Sequence, residues 1–319
     1  MGTELEKGSR ILVAGHRGLV GSAVCRKLVR EGHTALITRT RAELDLLDQR
    51  AVHDFFRQER PEFVFVVAGR VGGIHANASH QADFLYENLM IAANVIHAAA
   101  QSGTEKLMYL GSSCIYPKFA EQPIRESSLL TGELEETNEG YAVAKIAGLK
   151  LCQMYQRQYG KRFISAQPTN LYGPGDNFHP TDSHVIPGMM RRFHEAKVRG
   201  DGSVTVWGSG TPRREFLHVD DLADAMYLLM QTYEEPQTIN IGTGSDVTIA
   251  KLAELMGQAV GFGGEIVFDT TKPDGTPRKL LDTSRITTLG WKPRRDLPAG
   301  LAETYAWARE HVFTAVVTP

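Results

Sequence analysis

The sequence predicts an α/β protein in which a doubly wound parallel sheet is followed by a smaller C-terminal α/β lobe. In the first two-thirds of the chain, short β-branched or aromatic runs alternate with longer amphipathic stretches, the pattern of strand–helix–strand units. The runs are apolar throughout, as expected for strands that helices cover on both faces. The composition, 42% hydrophobic and 23% charged among 319 residues, is that of a globular chain large enough for about two domains.

Each strand and helix in the first two-thirds of the chain is predicted from the composition and spacing of its own apolar residues. Runs rich in Val, Ile, Phe and Thr predict strands at 10–14, 35–38, 63–68, 106–111 and 162–166. Stretches with apolar residues three and four apart predict helices at 19–30, 51–58, 83–101 and 141–158. Strands and helices therefore alternate in the order that parallel crossover connections require.

The pattern changes after Asn170, where Gly173, Pro174, Gly175, Pro180 and Pro187 crowd into one stretch. A strand-to-helix segment at 215–230, with acidic residues where the helix begins, returns the chain to the first domain. From Thr248 onward a helix, a short strand near 266–268 and a loop at 272–278 predict the smaller lobe. We expect one domain from 1–170 plus about 215–243, and a second from 171–214 plus about 244–319.

Charge and cysteine content exclude several classes of protein. With 35 basic and 37 acidic residues the net charge is -2, so no nucleic-acid partner is expected. The longest apolar run, 63–69, is far shorter than the roughly 20 residues of a membrane span. The polar segment 1–10 lacks a signal-peptide pattern, so we expect a cytoplasmic protein. Three widely spaced cysteines, with no CxxC pair, predict neither disulfides nor a metal site; they are Cys25, Cys114 and Cys152.

The first predicted strand runs into a glycine-rich loop and then a helix. Glycines spaced three apart allow a tight turn and let backbone N–H groups approach a pyrophosphate at the helix N-terminus. An ordinary strand–helix turn could also be glycine-rich, but the flanking strand and helix favour a dinucleotide site in a Rossmann-type sheet. The residues expected to bind the cofactor here are Gly15, Arg17, Gly18, Leu19, Val20 and Gly21.

The end of the second predicted strand indicates which dinucleotide binds. An acidic residue there would bind the ribose of NAD, whereas arginine suits the 2′-phosphate of NADP. This stretch holds Arg39 and Arg41 and no carboxylate, and Arg17 adds a third guanidinium in the glycine loop. The sequence therefore favours NADP(H), although Arg39 and Arg41 could instead be solvated loop charges.

A tyrosine and a lysine lie four residues apart in a predicted helix, so that their side chains share one face. An ammonium held near a phenol is expected to lower the pKa of that phenol and make it a usable acid or base. By chance alone, many helices contain a tyrosine and a lysine spaced as Tyr141 and Lys145 are. Ser112, at the end of a predicted strand where ligands bind in open α/β sheets, favours a catalytic Ser–Tyr–Lys group.

These motifs resemble the extended short-chain dehydrogenase/reductase family, and in particular its members that modify nucleotide sugars. The resemblance covers nearly the whole chain. It is carried by GHRGLVGSA (15–23), VGGIHAN (71–77), LGSSCIYPK (110–118), YAVAKIAG (141–148), PTNLYGPGDNFHP (168–180), SHVIP (183–187), WGSGTPRREFLHVDDLADA (207–225) and TKPDGTPRK (271–279).

The resemblance implies a two-part activity. An NADPH-dependent enzyme of this kind epimerises C3 and C5 of GDP-4-keto-6-deoxy-D-mannose and then reduces C4, which gives GDP-L-fucose. The first domain would bind NADP(H), and the second would be the GDP-sugar lobe. Relatives commonly form homodimers through two helices of each subunit, for which 83–101 and 141–158 are the candidates.

The resemblance also implies roles for single residues. The catalytic residues would be Ser112, Cys114 as base, Tyr141, Lys145 and His184 as acid. Further cofactor contacts would come from Leu110, Gly111, Ser112, Tyr141, Lys145, Pro168, Asn170, Leu171 and His184. The substrate contacts would be Ser113, Asn170, Arg192, Trp207, Arg214 and Lys279. From the residues alone, Cys114 could merely pack, His184 could be a surface histidine, and Trp207 could belong to the core.

Two departures from the family pattern lie near the expected site. Arg70 follows Ala68-Gly69 where Ala-Ala-Lys is usual, and Gly140 stands before Tyr141 where a bulky residue is usual. Glycine there is acceptable as a helix cap. Two alternatives stay open: a C4 reductase without epimerase activity, which would not need Cys114 and His184, and a non-catalytic protein that senses NADPH.

Overall fold

The computed structural model describes residues 5–272 and 274–314. The outermost residues of the two expected domains, 1–4 and 315–319, and Pro273 of the expected 272–278 loop lie outside the described residues. The strands are β1 (Ile11–Ala14), β2 (Leu36–Ile37), β3 (Phe63–Val66), β4 (Lys106–Leu110), β5 (Arg162–Pro168), β6 (Asn170–Tyr172), β7 (Ser203–Trp207), β8 (Arg213–Arg214), β9 (Phe216–His218), β10 (Ile239–Ile241), β11 (Val247–Thr248), β12 (Glu265–Asp269) and β13 (Arg278–Lys279).

The helices of the described residues lie between and after these strands. They are α1 (Leu19–Arg30), α2 (Gln49–Glu59), α3 (Ile74–Ser79), α4 (Gln81–Ser102), α5 (Glu139–Tyr159), α6 (Val185–Arg199), α7 (Val219–Thr232), α8 (Ile249–Val260), α9 (Ser284–Thr288) and α10 (Leu297–His311). Within residues 5–272 and 274–314, each helix is too short or too polar to cross a bilayer.

Six strands form a parallel sheet in the order β10-β5-β4-β3-β1-β2, which confirms the predicted α/β class. The chain runs from β1 outward to β2 and then returns to β3 on the other side of β1. Its winding direction therefore reverses between β1 and β3, the place where open α/β sheets bind ligands. β1, β3 and β4 are buried along their whole length, as their apolar runs predict.

Helices cover both faces of this sheet. One core lies under α1 and α7, and it includes Leu28, Met108 and Leu222. The other lies under α2, α4 and α5 and includes Phe56, Ile96 and Tyr109. The predicted elements are confirmed, with ends that differ by a few residues: β2 is shorter than 35–38, and β5 runs on to Pro168.

A separate core joins α6, α8 and α10 around Phe193, Met256 and Leu301. Around it lie β7 paired with β12, and β8 paired with β11 and β13. The sequence does not predict α6, because Pro187 stands in a stretch rich in proline and glycine. Pro187 lies in the first turn of α6, where its missing N–H leaves no helical hydrogen bond unmade.

Candidate active site

The glycine loop is shaped for close backbone contacts. Gly15 adopts φ +95°, and the Gly18 N–H donates to the Gly15 carbonyl oxygen at 3.0 Å. A Cβ on Gly21 would lie 2.1 Å from that same oxygen, and a Cβ on Gly15 would lie 2.7 Å from the backbone of Ala68. Only glycine fits these two positions. Helix α1 follows with no side-chain cap, so its first turn, which holds Leu19 and Val20, keeps backbone N–H groups for an anion.

The three arginines expected at the 2′-phosphate differ in their surroundings. Arg39 donates to Glu59 at 2.6 Å and to the Thr38 carbonyl oxygen at 2.8 Å, and its guanidinium lies 5.5 Å from the Phe55 ring centroid. Arg41 is exposed beside Asp45, and Arg17 is exposed on the glycine loop. Arg17 and Arg41 are therefore open to solvent, whereas Arg39 already has a carboxylate partner.

The carboxyl end of β4 carries the strand-end serines. Gly111 has no room for a side chain, because a Cβ there would lie 1.9 Å from Gln167 Oε1. The same Gln167 oxygen accepts from the Ser112 N–H at 2.8 Å, which ties the end of β4 to β5. Ser113 begins a single 3₁₀ turn after Ser112, and the Ser112 hydroxyl oxygen accepts from the Cys114 N–H at 3.2 Å. This turn sets Ser112 and Cys114 beside each other.

Tyr141 and Lys145 lie in the first turns of α5, as predicted, but their electrostatics differ from the expectation. Burial raises the pKa of Tyr141 well above its usual range, and the neighbouring Cys114 raises it further, while a hydrogen bond with Ser112 opposes the rise. Burial also lowers the pKa of Lys145 to about 8. Lys145 Nζ donates to the Leu110 carbonyl oxygen at 2.9 Å and lies 5.7 Å from the Tyr141 ring centroid. The prediction of a lowered pKa for Tyr141 is therefore wrong, because burial, the largest cause of the shift, raises it.

Cys114 Sγ accepts two hydrogen bonds from side-chain nitrogens. Lys279 Nζ donates at 3.5 Å from the end of β13, and Asn138 Nδ2 donates at 3.6 Å from the residue before α5. Cys114 is half-buried, and no cysteine among the described residues is in a disulfide. A thiol beside an ammonium and an amide donor is in the kind of polar, partly open setting in which cysteines react.

His184 precedes α6 and accepts from the Gly188 N–H through its carbonyl oxygen. The residue is open to solvent on one side, but the protein atoms around the imidazole make its charged form costly and lower its pKa. Its segment contacts the loop after β3, where the Gly73 N–H donates to the Asp182 carbonyl oxygen at 3.2 Å. At the other end of that loop, a Cβ on Gly69 would be 3.6 Å from Lys145 Nζ. The loop therefore spans the distance between the His184 segment and Lys145.

Three residues predicted to contact the cofactor or substrate lie at the end of β5 and in β6: Pro168, Asn170 and Leu171. Pro168 is the last residue of β5, and Leu171 is half-buried in β6. Asn170 Nδ2 donates to the Glu215 carbonyl oxygen at 2.9 Å, next to Arg214. Asn170 therefore links β6 to the segment between β8 and β9.

The basic residues expected to bind substrate form two groups. Arg192 on α6 lies 5.4 Å from the ring centroid of Trp207, whose surface is 57% exposed. Arg214 on β8 is in the electrostatic neighbourhood of Cys114, with Glu135 and Asp274 also near it. Burial lowers the pKa of both guanidinium groups. Trp207 is thus a surface residue and not a core residue. Arg214 and Lys279 form the second group, near Cys114.

Sequence reasoning missed three residues of this region. Asn138 donates to Cys114, and Gln167 fixes the Ser112 backbone. The buried carboxylate of Glu215 accepts from the Gly244 N–H at 2.7 Å and the Leu281 N–H at 3.1 Å. Gln167 is a polar residue in the buried part of β5, and Glu215 is a buried carboxylate directly before the buried strand β9, a signal that could have marked them. Asn138 offers no such signal, because it lies in an irregular polar stretch.

The two departures from the family pattern have a structural explanation. Arg70 Nη1 pairs with Glu87 at 2.6 Å and Asp83 at 3.2 Å, so it fastens the loop after β3 to α4. Gly140 lies inside α5 and is not its cap, which is Asn138. A Cβ on Gly140 would lie 2.6 Å from the Gln81 carbonyl oxygen, so glycine lets the start of α4 approach α5 closely.

Comparison with known proteins identifies the family and the relatives that this chain is similar to. The chain matches the model of the NAD dependent epimerase/dehydratase family over residues 11–242. It is 58% identical over 307 residues to GDP-L-fucose synthase 1 of Arabidopsis thaliana, covering 96% of this chain and 95% of that protein. It is 56% identical over 311 residues to the GDP-L-fucose synthase of Escherichia coli K12, covering 95% and 97%. A solved GDP-L-fucose synthetase from Naegleria fowleri bound to NADP superposes with a TM-score of 0.90 at 29% identity, covering 98% of each chain.

The family match runs from the first residue of β1 to one residue past β10, which is the full extent of the parallel sheet. The two curated relatives extend the likeness through the smaller lobe. This chain therefore belongs to the NAD dependent epimerase/dehydratase family, with GDP-L-fucose synthases among its relatives, as the extended short-chain dehydrogenase/reductase motifs predicted.

Proposed function

We propose that this enzyme uses NADPH to convert GDP-4-keto-6-deoxy-D-mannose into GDP-L-fucose, by epimerisation at C3 and C5 and reduction at C4. The observation that carries the proposal is the position of the Cys114 thiol, beside Ser112 and near the buried phenol of Tyr141. A reductase alone needs no thiol there. The names of the relatives at 58% and 56% identity support the same substrate and product.

The residues around the glycine loop fit a dinucleotide. The loop leaves no space for side chains at Gly15 and Gly21, and α1 begins with free backbone N–H groups. Arg17 and Arg41 are open to solvent where a 2′-phosphate would need cations. NADPH, when bound here, supplies a hydride. Lys145 would hold its ribose, and Leu110, Pro168 and Leu171 would line its nicotinamide end.

Epimerisation begins with loss of a proton next to the C4 ketone. The thiolate of Cys114 removes the proton from C3 or C5, and the electron pair of the broken C–H bond moves into an enolate whose charge lies on the C4 oxygen. Ser112 and Tyr141 donate hydrogen bonds to that oxygen, which stabilises the developing charge. The imidazolium of His184 then returns a proton to the opposite face of the same carbon and becomes neutral. Before the second carbon reacts, the thiol of Cys114 loses its new proton to solvent and His184 takes one up from solvent. The same two transfers at that carbon then complete the change of configuration.

Tyr141 also protonates the C4 oxygen when C4 is reduced. Its raised pKa keeps it a phenol near neutral pH, so the proton is present for donation. The Lys145 ammonium lies 5.7 Å from the Tyr141 ring centroid and, with its pKa lowered to about 8, is a proton source for the phenolate that this donation leaves. Ser112 and Tyr141 thus act on the C4 oxygen in both epimerisation and reduction.

The smaller lobe would bind the GDP part of the substrate. Arg192 and Arg214 present guanidinium groups that suit the diphosphate, since arginine binds phosphate oxygens in pairs. Trp207 would offer a ring face, and Ser113 and Asn170 would contact the sugar. In this proposal residues 1–170 with about 215–243 bind NADP(H), and residues 171–214 with about 244–319 bind the GDP-sugar.

We also propose a homodimer in the cytoplasm. Helices α4 and α5 pack along each other and expose apolar residues on their outer faces, among them Tyr86, Leu89, Val143 and Met154. A pair of such helices from each of two subunits could bury these side chains together.

Deuterium incorporation tests the proposed reaction. The protein is incubated with GDP-4-keto-6-deoxy-D-mannose and NADPH in D₂O, NADPH loss is followed by absorbance, and the product is examined by NMR. We expect a fucose product with deuterium at C3 and C5. Cys114→Ser is expected to lose the deuterium at both carbons. Oxidation of NADPH without deuterium in the product would mean a C4 reductase, and no NADPH oxidation at all would refute the substrate.

A further inference from the structure

The Cys114 thiol has an unusual set of neighbours for a sulfur that only packs. Sγ accepts from Lys279 Nζ at 3.5 Å and from Asn138 Nδ2 at 3.6 Å. Both donors favour a negatively charged sulfur, and the ammonium does so through its charge as well. Lys279 lies 165 residues further along the chain, so this contact is a product of the tertiary fold.

Other charged groups surround the pair. Arg214 faces Cys114 from β8, and its charge also favours a thiolate. Glu135 is the acidic group of this region, but it pairs with Lys118 at 3.1 Å and accepts from the Thr276 hydroxyl at 3.4 Å. From α5 the phenol of Tyr141 faces Cys114 and stays uncharged, since its pKa is raised. The charges closest to Sγ are thus mainly positive.

The backbone around Lys279 is held by strand pairing and hydrogen bonds. β13 pairs in parallel with β8, and the Arg278 guanidinium binds Asp246 at 2.5 Å. Immediately after Lys279, the Leu280 N–H donates to Gln122 Oε1 at 2.8 Å and the Leu281 N–H donates to Glu215 Oε2 at 3.1 Å. The backbone on both sides of Lys279 is therefore anchored, which limits how far its ammonium can move from the sulfur.

We propose that Lys279 is the cation that keeps Cys114 in its thiolate form, and that it is in this sense a positioning residue of the epimerisation. The inference rests on the proposed function for the role of the thiolate as base. The thiol proton leaves to solvent before substrate binds, and Lys279 keeps its own protons throughout. When the thiolate takes the substrate proton, the charge beside Lys279 moves to the C4 oxygen of the enolate.

Alkylation of Cys114 by iodoacetamide tests the pairing without any substrate. The rate is measured between pH 5 and 10 for the parent, for Lys279→Met and for Lys279→Arg, and labelling at Cys25 and Cys152 is subtracted with Cys114→Ser. We expect Lys279→Met to move the alkylation profile upward by about one pH unit, with about ten-fold slower labelling at pH 7, because only the thiolate reacts. Lys279→Arg is expected to restore most of the parent profile.

Lys251→Met is the matched control. Lys251 pairs with Glu254 at 2.8 Å on α8 and does not line the cavity beside Cys114, so the same substitution there should leave the alkylation profile of Cys114 in place. A Lys279→Met profile that superimposes on that of the parent would overturn the proposal. In that case a higher KM for the GDP-sugar with unchanged alkylation would assign Lys279 to substrate binding alone.

The deuterium experiment separates this inference from the proposed function. Lys279→Met is expected to slow exchange at C3 and C5 at pH 7 by about the same ten-fold factor and to recover as the pH rises. If alkylation shifts while the parent neither exchanges deuterium nor oxidises NADPH, the thiolate pairing stands and the proposed substrate is wrong. If the parent makes GDP-L-fucose and alkylation does not shift, the proposed function stands and the role of Lys279 is wrong.

Discussion

Burial disfavours charge on both members of the Tyr141–Lys145 pair. Their spacing predicts a shared helix face, and the structure has it, but the spacing contains no information on how far the site is desolvated. The Lys145 ammonium donates to the Leu110 carbonyl oxygen, and in the part of the chain that the structure describes no carboxylate pairs with it. Sequence therefore indicates which residues act, whereas their protonation depends on packing that only the folded chain defines.

Replacement of Lys145 by methionine should stabilise the fold and abolish turnover. At pH 7 the lysine is charged in both the folded and the unfolded chain, and its folded pKa of about 8 corresponds to about 3 kcal/mol of unfavourable charge burial. Methionine removes that cost but loses the bond to Leu110, so we expect a gain of about 1–3 kcal/mol in the free energy of unfolding. Urea unfolding at pH 7 measures it.

The stability gained by Lys145→Met is expected to decrease as the pH rises. As the pH rises from 8 to 10, the folded protein releases the Lys145 proton before the unfolded chain does, so the parent recovers stability and the advantage of Lys145→Met shrinks. Lys150→Met, on the same helix, is the control and should change stability by less than about 0.5 kcal/mol. A destabilised Lys145→Met at pH 7 would show that the hydrogen bond outweighs the buried charge.

At the scale of elements, helix α5 lies unusually close to the sheet. A Cβ on Gly148 would be 2.4 Å from Cζ of Tyr109, which is buried in β4. This close approach places Tyr141 and Lys145 beside the ends of β4 and β5. The periodicity of α5 predicts a helix, but the distance between that helix and the sheet depends on a glycine whose role is visible only after packing.

Gly148→Ala should destabilise the protein although alanine is the better helix former. The clash with Tyr109 must be relieved by moving α5 or the ring, at a cost of about 1–3 kcal/mol. Gly257→Ala in α8 is the control, because a Cβ there has only ordinary contacts, and it should be neutral or stabilising by up to about 1 kcal/mol. Chemical denaturation of both variants compares them, and equal stabilities would contradict the packing argument.

Elements differ in how well sequence predicts them. The central strands are short apolar runs, and their helices have apolar residues three and four apart. The sequence predicts the ends of both to within a few residues. In contrast, β8, β11 and β13 have two residues each. Such short strands exist because distant segments meet, and no local pattern marks them. Lys279 was assigned from resemblance alone, and its contact with Cys114 could not be predicted from the chain.

At the scale of the whole molecule, the exposed apolar face of α4 and α5 predicts the quaternary state. Leu89 and Met154 are 37% and 43% exposed on adjacent helices. A double Leu89→Glu, Met154→Glu variant should be a monomer by light scattering, because four buried carboxylates would meet in the proposed dimer. Val29→Glu, at an exposed apolar residue of α1, is the control and should leave the mass unchanged. A monomeric parent would refute the dimer.

The contact between Lys279 and Cys114 also orders events in time. A ribosome adds about 5–20 residues each second, so the 165 residues between these two side chains take about 8–30 s to make. During that interval β5 and β10 of the parallel sheet are still being made, and the Cys114 thiol has no Lys279 beside it. If Lys279 has the role proposed above, a nascent chain acquires its reactive sulfur only after the whole parallel sheet has been made.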